Sequence, residues 1–232
     1  MPKRVLITGG NKGIGLAAAR QFLKEGYEVV AIGRDFKNFK EKQIQTITYD
    51  LSDLSGIPKL IENIGEIDVL VNNAGIDRKR PYDDYSEEDI EKILNVNLRA
   101  PIELINGYAK FFIKKGAGRI VNVASQAGEI GHTDIWYGIT KAGLLNATKS
   151  YAALLGDKGV ILNAVAPGPV DTGMIQDTPF QERFEKLRKR TILKRIATPE
   201  EVAEVIFWLG TASPEYVNGE TIDINNGAQR IN

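Results

Sequence analysis

The sequence of 232 residues contains no cysteine and a single histidine, His132. Without cysteine there is neither a disulfide framework nor a thiolate metal site, and the redox compartment is left open. One histidine and scattered acidic residues make a dedicated transition-metal site improbable, so we predict no metal. Thirty basic residues balance thirty acidic ones, so no net charge points to a nucleic acid or an anionic membrane as partner.

Long apolar runs are also missing. Met1–Arg4 leads into a run of only three apolar residues, so we expect neither a signal peptide nor a membrane span there, and a cytoplasmic protein is the default. The hydrophobic fraction of 43% is typical of a globular protein with a sizeable core. No repeat, low-complexity segment or flexible linker divides the chain, and we predict that residues 1–232 form a single domain.

Short apolar segments alternate with segments of helical periodicity along the chain. The predicted strands are Arg4–Thr8, Tyr27–Ile32, Ile44–Tyr49, Asp68–Val71, Arg119–Ala124, Gly159–Ala166 and Glu220–Ile224. The predicted helices are Leu16–Gly26, Ile57–Ile64, Glu87–Lys115 with a bend at Pro101, one that carries Tyr137, and one from Pro199 to about Gly210. The link Phe36–Gln43 is expected to form only a turn or two. This order predicts an α/β fold, a doubly wound parallel sheet of about seven strands.

A glycine-rich loop, Gly9-Gly10-Asn11-Lys12-Gly13-Ile14-Gly15, follows the first predicted strand and opens the first helix. That order is the context that a dinucleotide fingerprint of the Rossmann type requires. Glycines let the backbone turn sharply and approach a pyrophosphate, which lies at the positive end of the helix. Glycine clusters occur in many loops, but the position of this one favours nucleotide binding.

The residues after the second strand indicate which dinucleotide binds, because they reach the adenosine ribose. A carboxylate there accepts the hydroxyls of NAD, whereas a guanidinium binds the 2′-phosphate of NADP. Gly33 has no side chain, Arg34 follows it, and Lys12 supplies a second cation. Two solvated surface charges are the alternative, and Asp35 could still contact ribose hydroxyls. We expect NADP(H) to be favoured over NAD(H).

Further candidate residues follow the other strands, whose carboxyl ends meet at one edge of a parallel sheet. Asp50 and Leu51 are expected to border the adenine. The small residues of Asn72-Asn73-Ala74-Gly75 would let a cofactor pass close to the backbone. Ser125 ends another strand, and the turn Pro167-Gly168-Pro169-Val170-Asp171-Thr172 brings Thr172 to the same edge.

Tyr137 and Lys141 stand four residues apart, so on a helix their side chains share one face. A phenol titrates near pH ~10, and an ammonium one helical turn away favours the phenolate and lowers that pKa. An isolated pair of this kind is usually an unrelated surface Tyr and Lys. Only one of the eight tyrosines has a lysine at this spacing, and the motifs around it make Tyr137 our candidate reactive group.

The combination resembles the single-domain subgroup of the short-chain dehydrogenase/reductase family, from Val5 to about Gly227. The matching motifs are Thr8-Gly9-x-x-x-Gly13-x-Gly15, Asn72-Asn73-Ala74-Gly75, Asn97, Ser125, Tyr137-x-x-x-Lys141 and Pro167-Gly168 with Thr172. The resemblance implies hydride transfer between a nicotinamide and a carbonyl or secondary-alcohol substrate. It also implies that Lys12 and Arg34 occupy the basic positions of the phosphate-binding subgroup.

Roles for single residues are implied by the same resemblance. Tyr137 would be the general acid/base, and Lys141 would hold the nicotinamide ribose and lower the pKa of Tyr137. Ser125 would hydrogen-bond the substrate carbonyl. Asn97 would link Lys141 to solvent through a water. Thr172, with Pro167, Gly168 and Val170 of the turn, would steady the nicotinamide end.

Three departures from the family pattern accompany these matches, one of which is an abbreviated segment after the second strand. Ser125 precedes Tyr137 by twelve residues, where many members have thirteen, so the loop beside the substrate can differ in shape. The tail reads Ile224-Asn225-Asn226-Gly227 where Asp-Gly-Gly is common, which leaves the local packing open.

Substrate and assembly stay open at this point. Gly173–Ile196 is expected to cover the site, with Met174, Ile175, Phe180 and Phe184 beside a basic run, Lys186–Arg190, which is equally consistent with a solvated helix face. Arg78-Lys79-Arg80 and His132 are similarly ambiguous. The reaction could be that of a 3-oxoacyl-thioester reductase or of a sugar or polyol dehydrogenase. The alternative is a non-catalytic NADP(H)-sensing or interaction protein. The family resemblance implies a homodimer or homotetramer.

Overall fold

The computed structural model describes residues 2–78, 80–172 and 180–228, with only the backbone for residues 180–184. The strands are β1 (Arg4–Thr8), β2 (Glu28–Gly33), β3 (Gln45–Thr48), β4 (Val69–Asn72), β5 (Gly118–Val123), β6 (Val160–Pro167) and β7 (Thr221–Ile224). The helices are α1 (Gly13–Lys24), α2 (Ile57–Ile64), α3 (Glu87–Leu94), α4 (Ala100–Lys115), α5 (Ile135–Leu155), α6 (Phe180–Lys189) and α7 (Pro199–Thr211). Every predicted strand is present, with each end within one residue of its expected position.

The seven strands form one sheet in the order β3-β2-β1-β4-β5-β6-β7, and every neighbouring pair is parallel. The predicted doubly wound parallel sheet is therefore confirmed. The strand order reverses between β1 and β4. In open α/β sheets the carboxyl ends of the strands at such a switch point form the ligand crevice.

Apolar side chains cover both faces of the sheet, as a fully parallel sheet requires. On one face α2, α4 and α5 pack around fully buried residues such as Leu104 and Tyr108. On the other face α1 and α7 meet, with Phe22 and Ile206 fully buried. Among the helices that the structure describes, none is both long and apolar enough to cross a membrane.

The link between β2 and β3 contains two turns and no helix, as expected from its length. The amide of Phe39 donates to the carbonyl of Phe36 at 3.0 Å, and that of Ile44 to Glu41 at 3.1 Å. The rings of Phe36 and Phe39 meet edge to face, with centroids 5.1 Å apart, and pack against the α1 side of the core. Two aromatic rings thus cover sheet surface that a crossover helix covers elsewhere.

The long predicted helix Glu87–Lys115 is continuous, but it contains a π-helical turn at Asn95–Arg99 between α3 and α4. The amide of Ala100 bonds to the carbonyl of Asn95, five residues earlier. Pro101 has no N–H to offer and its ring crowds the carbonyl four residues before it, which disfavours regular α-helix here. The sequence predicted a bend at Pro101, and the structure shows a wider turn just before it. Such π-turns are frequent at functional sites.

Candidate active site

The glycine-rich loop between β1 and α1 has the backbone geometry that its sequence predicts. Gly9 and Gly13 adopt φ values of +67° and +54°, a region that side chains disfavour. A Cβ on Gly15 would lie 2.2 Å from the carbonyl oxygen of Gly9, so only glycine lets α1 start this close to the strand end. The loop therefore has the close helix–strand packing and open backbone that a pyrophosphate site needs.

The strand ends beside this loop are tied together by side chains. The hydroxyl of Thr8 accepts hydrogen bonds from the amides of Asn73 and Ala74, both at 3.0 Å. The Asn73 side chain donates to the carbonyl of Thr8 at 2.9 Å. Asn72 donates to Asn122 on the next strand, also at 2.9 Å. The loop containing Asn73, Ala74 and Gly75 is thereby fixed against the glycine-rich loop.

At the adenosine end, Arg34 lies at an open depression of about 420 Å³, together with Thr48, Tyr49, Asp50 and Asp53. Arg34 and Lys12 are both exposed. Neither forms a salt bridge within residues 2–78, 80–172 and 180–228. Both cations are therefore available to an anionic ligand at this end of the crevice.

The residues around Arg34 are also those predicted for this end. The Asn11 side chain packs against Gly33 and donates to the carbonyl of Asp35 at 3.1 Å. Asp50 accepts from the amide and the hydroxyl of Ser52 at 3.0 and 2.9 Å. Those bonds, and more weakly the charges of Lys92 and Arg34, lower the pKa of Asp50. Leu51 is buried beneath it, so its backbone is the part left to border a ligand.

At the opposite end of the crevice, the turn after β6 returns to the glycine-rich loop. The amide of Gly168 bonds to the carbonyl of Ile224 at 2.9 Å, which holds the turn against β7. Val170 is buried and pairs with Ala197. A Cβ on Gly13 would lie 3.2 Å from the Thr172 methyl group. Thr172 is thus placed beside the loop as the sequence predicted.

Four candidate catalytic side chains converge between β4, β5 and α5. Lys141 is buried, and its Nζ donates to the carbonyl of Val123 at 2.8 Å and lies 5.7 Å from the ring centroid of Tyr137. A Cβ on Gly75 would lie 3.4 Å from the Lys141 Nζ and 3.6 Å from the Asn97 Oδ1. The absent side chain at Gly75 therefore leaves open the space in front of both groups.

Ser125 and Tyr137 form a hydrogen bond, which favours the phenolate of Tyr137. The Ser125 hydroxyl also accepts from the amide of Ala127 at 3.2 Å and so caps a short 3₁₀ turn, Gln126–Gly128. The twelve-residue spacing thus keeps the serine in contact with the tyrosine. A Cβ on Gly128 would meet the α5 backbone at Lys141, 2.6 Å away, which explains how the shorter loop packs closely on the helix.

The pKa of Tyr137 differs from the sequence-based prediction. Burial raises it to about 12, the charges of Asp77 and Asp134 add to that rise, and the bond to Ser125 opposes it. Burial also lowers the pKa of Lys141 to about 8. The predicted lowering of the Tyr137 pKa is therefore wrong for this geometry, because burial, the largest influence on that pKa, raises it.

Asn97, the fourth of these residues, is fully buried in the π-helical turn. Its Nδ2 donates to the carbonyl of Ile76 at 2.8 Å and to the hydroxyl of Thr140 at 3.2 Å. Its Oδ1 accepts from the amide of Ile76 at 2.8 Å. Asn97 thus joins the backbone after Gly75 to the helix that carries Tyr137 and Lys141.

Comparisons with known proteins agree with this site. Residues 9–229 match the family model described as enoyl-(acyl carrier protein) reductase. The chain is 36% identical to the 3-oxoacyl-[acyl-carrier-protein] reductase of Thermotoga maritima over 97% of both chains. It is 31% identical to the gluconate 5-dehydrogenase of Gluconobacter oxydans over 97% of this chain and 93% of the relative.

A solved structure from Beutenbergia cavernae, assigned as an NAD(P)-dependent gluconate 5-dehydrogenase with NADP bound, superposes with a TM-score of 0.92. Its identity is 29%, over 98% of this chain and 96% of that one. The chain belongs to the short-chain dehydrogenase/reductase family. It is an oxidoreductase of the Rossmann fold that transfers a hydride between a nicotinamide dinucleotide and a carbonyl or alcohol substrate.

The basic residues after Gly75 are paired with acidic ones in this dehydrogenase/reductase. Arg78 lies 2.9 Å from Asp89, and Arg80 lies 3.4 Å from Asp89 and 3.7 Å from Asp84. Lys79 lies outside the described residues. The charges of the two arginines are therefore largely balanced by these carboxylates, and the two side chains do not form an unpaired cationic surface at the entrance to the site.

The segment expected to cover the site is described only from residue 180 onward. Met174 and Ile175 lie outside the described residues, as do the side chains of Phe180 and Phe184. The basic run Lys186–Arg190 spans the end of α6, where Arg188 pairs with Glu185 at 2.9 Å. Among the described residues, the structure gives that run no contact with the catalytic groups.

The unusual tail is packed against the end of that covering segment. Asn226 adopts φ +50°, and its Oδ1 accepts from the amide of Leu193 at 2.7 Å. Its carbonyl accepts from the amide of Ile192 at 3.1 Å. An asparagine tolerates the left-handed backbone that glycine usually supplies and adds a side-chain bond.

The sequence reasoning missed Asp134, which is 3% exposed at the start of α5. Its side chain caps the helix by accepting from the amide of Tyr137 at 3.0 Å. The signal was present, because an aspartate three residues before a predicted helical position is a common N-cap. His132 lies next to it, with its ring 5.4 Å from that of Tyr137 and its Nδ1 3.1 Å from the Asp134 amide.

Proposed function

We propose that the protein is an NADPH-dependent reductase of carbonyl compounds, which works in reverse as an alcohol dehydrogenase. The observation that carries this proposal is that Lys141 and Asn97 border the space in front of Gly75, while Tyr137 lies beside Lys141 and bonds to Ser125. That space lies at the switch point of the sheet, beside a glycine-rich loop with room for a pyrophosphate. When bound, NADPH supplies the hydride.

Tyr137 is the proposed general acid. Its raised pKa keeps the phenol protonated at neutral pH, which is the form that donates a proton to a carbonyl oxygen. Ser125 shares a hydrogen bond with that phenol and is placed to donate a second one to the same oxygen. Two donors aimed at one oxygen stabilise the negative charge that develops there.

Lys141 is proposed to hold the ribose hydroxyls and to complete the proton path. With a pKa of about 8, its amine is mostly protonated at neutral pH and can donate to hydroxyls. Asn97 holds the backbone of Ile76 beside it, and we propose that the Asn97–Lys141 pair passes protons to solvent through a bound water. Thr172 and the turn Pro167-Gly168 steady the nicotinamide end.

The phosphorylated cofactor is proposed because Lys12 and Arg34 are exposed at the adenosine end and form no salt bridge within the part of the chain that the structure describes. A 2′-phosphate between two such cations gains charge-assisted hydrogen bonds that a bare ribose does not. The Beutenbergia cavernae relative has NADP bound, which supports the same choice.

The substrate is proposed to be a small carbonyl compound or its alcohol. The Thermotoga maritima and Gluconobacter oxydans relatives are named for a 3-oxoacyl compound and a sugar acid. The first has a ketone that can be reduced, and the second has secondary alcohols, one of which can be oxidised to a ketone. We further propose a single-domain cytoplasmic enzyme that forms a homodimer or homotetramer. Exposed Ile113 on α4 and Leu154 on α5 are apolar groups that a second copy could cover, and light scattering measures that state.

Equilibrium titration of the purified protein with NADPH and NADH tests the cofactor assignment. Tighter binding of NADPH is expected, and equal or weaker binding contradicts it. NADPH oxidation is then followed with acetoacetyl-coenzyme A, 5-ketogluconate and simple ketones. Turnover of any of them is expected of an enzyme. Tight NADPH binding without turnover across a broad ketone panel would instead favour a cofactor-sensing protein.

A further inference from the structure

Asp134 joins two parts of the chain beside Tyr137. Its Oδ1 accepts from the amide of Tyr137 at 3.0 Å and from the phenol of Tyr85 at 2.7 Å, and its Oδ2 accepts from the amide of Arg78 at 2.8 Å. The first donor belongs to α5 and the other two to the segment after Gly75. A side chain that is 3% exposed and accepts from both segments fixes their relative position.

We propose that Asp134 is a positioning residue, which fastens the segment Arg78–Tyr85 to the start of α5 and holds a negative charge beside the phenol of Tyr137. The inference rests on the proposed function, in which Tyr137 donates the proton. Asp134 itself contacts neither substrate nor cofactor in this scheme. Its effect is exerted through the orientation and the proton affinity of Tyr137.

The charge matters because α5 starts next to Tyr137. The positive end of a helix dipole favours an anion such as a phenolate, and a carboxylate at the N-cap offsets that effect. Burial is the largest cause of the raised pKa of Tyr137, and the negative charges of Asp77 and Asp134 add to it. Asp134 therefore helps to keep the phenol in its proton-donating form.

The other groups that face Tyr137 in the described part of the chain have different effects. Ser125 hydrogen-bonds the phenol and favours the phenolate. The Lys141 amine lies 5.7 Å from the ring centroid and points to the carbonyl of Val123. His132 lies with its ring 5.4 Å away, and its Nδ1 is 3.1 Å from the Asp134 amide. Asp77 and Asp134 are thus the carboxylates that oppose ionisation.

Replacing Asp134 with asparagine removes the negative charge but keeps the helix cap. Asn caps helices about as well as Asp, and its oxygen can keep the bonds from the Tyr137 amide and the Tyr85 phenol. Its NH₂ group then faces the Arg78 amide, donor against donor, and the Arg78 bond is lost. D134N therefore keeps α5 capped, removes the charge and releases one end of the segment.

The test is the pH dependence of alcohol oxidation with NADP⁺ in D134N, Y85F and D157N. The Tyr137 phenolate is the base in that direction, so the oxidation rate should rise with pH as the phenol ionises. D134N should move this rising limb of the rate–pH profile to lower pH by about one unit, the usual scale for one nearby charge. Y85F removes a donor that partly neutralises Asp134, so its limb should move to higher pH. D157N makes the same charge change at the exposed far end of α5 and should leave the limb unchanged.

Hydrogen exchange supplies a readout that does not depend on turnover. In D134N the amides of Arg78–Tyr85 should exchange faster than in the wild type, while those of the α5 centre should not. If the rate–pH profiles of D134N and D157N rise at the same pH, the claim that the charge of Asp134 raises the pKa of Tyr137 is overturned. Unchanged exchange in Arg78–Tyr85 overturns the fastening part.

If D134N does not fold, Y85F decides the electrostatic part, since it keeps the charge of Asp134 and removes one hydrogen-bond donor from it. A Y85F limb that stays in place or moves to lower pH overturns the proposal. Failure of the proposed function has a different signature, because either the wild type would then show no turnover or Y137F would retain it. Loss of turnover in Y137F together with an unmoved D134N limb rejects the role of Asp134 alone.

Discussion

The side chain of Asn97 pairs with the backbone of Ile76 as one peptide group pairs with another. Its Nδ2 donates to the Ile76 carbonyl and its Oδ1 accepts from the Ile76 amide, each at 2.8 Å. The π-helical turn places this side chain between the segment after Gly75 and α5, where it also reaches Thr140. A local irregularity in one helix thus fixes two segments of the candidate site at once.

Replacement of Asn97 should therefore affect both stability and turnover. N97A removes the partners of the Ile76 amide and carbonyl, which are partly buried, and each lost bond costs up to about 1–3 kcal/mol. We expect the melting temperature to fall by several degrees and turnover to fall at least tenfold. N106A removes a surface asparagine of α4 that accepts from Tyr151 and should have little effect on either quantity. Wild-type turnover in N97A would contradict this role.

A second prediction concerns Gly15. A Cβ there would lie 2.2 Å from the Gly9 carbonyl oxygen and 2.5 Å from the Asn73 Nδ2. G15A must therefore push α1 away from the strand end, and we expect loss of NADPH binding and a lower melting temperature. A Cβ on Gly131 would meet no atom of the described residues within 4 Å, and its φ is not positive, so G131A should melt like the wild type. Calorimetry and cofactor titration measure both effects.

The cofactor preference gives a third prediction. In R34A the affinity for NADPH should fall by about tenfold or more, since a charge-assisted bond to a phosphate contributes roughly 1.5–3 kcal/mol. The affinity for NADH should hardly change, because the ribose of NADH carries no 2′-phosphate. K37A removes an exposed cation from the same segment as a matched control. An equal loss of affinity for NADPH and NADH in R34A would show that Arg34 does not bind the 2′-phosphate.

The strands and the cofactor crevice could be predicted from the sequence because their determinants are local. The strand Arg4–Thr8 has an apolar centre and is followed directly by glycines, and strand ends in a parallel sheet meet at one edge whatever the details of packing. Position 15 is an example, because a residue where the first strand passes into the first helix must be glycine for the two to pack closely. The π-turn at Asn97 was not predicted, although Pro101 marked that part of the helix as irregular.

The electrostatics could not be predicted, because they depend on contacts between distant segments. The spacing of Tyr137 and Lys141 showed that an ammonium is near the phenol, but not how completely both groups are desolvated. Asp134 lies three residues before Tyr137, yet its other partners, Arg78 and Tyr85, are about fifty residues away. Sequence spacing alone therefore gave the wrong direction for the pKa of Tyr137.

The last prediction concerns the hydroxyl of Tyr137. Y137F removes the proposed proton donor and leaves the ring, so turnover should fall by about 10²–10⁴-fold, the usual contribution of general acid catalysis. NADPH affinity should stay within about twofold, because Lys141, Arg34 and the glycine-rich loop are untouched. Y151F is a matched control on the same helix, where the lost hydroxyl bonds only Asn106 in the described part of the chain. Stopped-flow measurement of NADPH oxidation separates the two quantities, and a Y137F enzyme as fast as Y151F would show that the proton comes from another group.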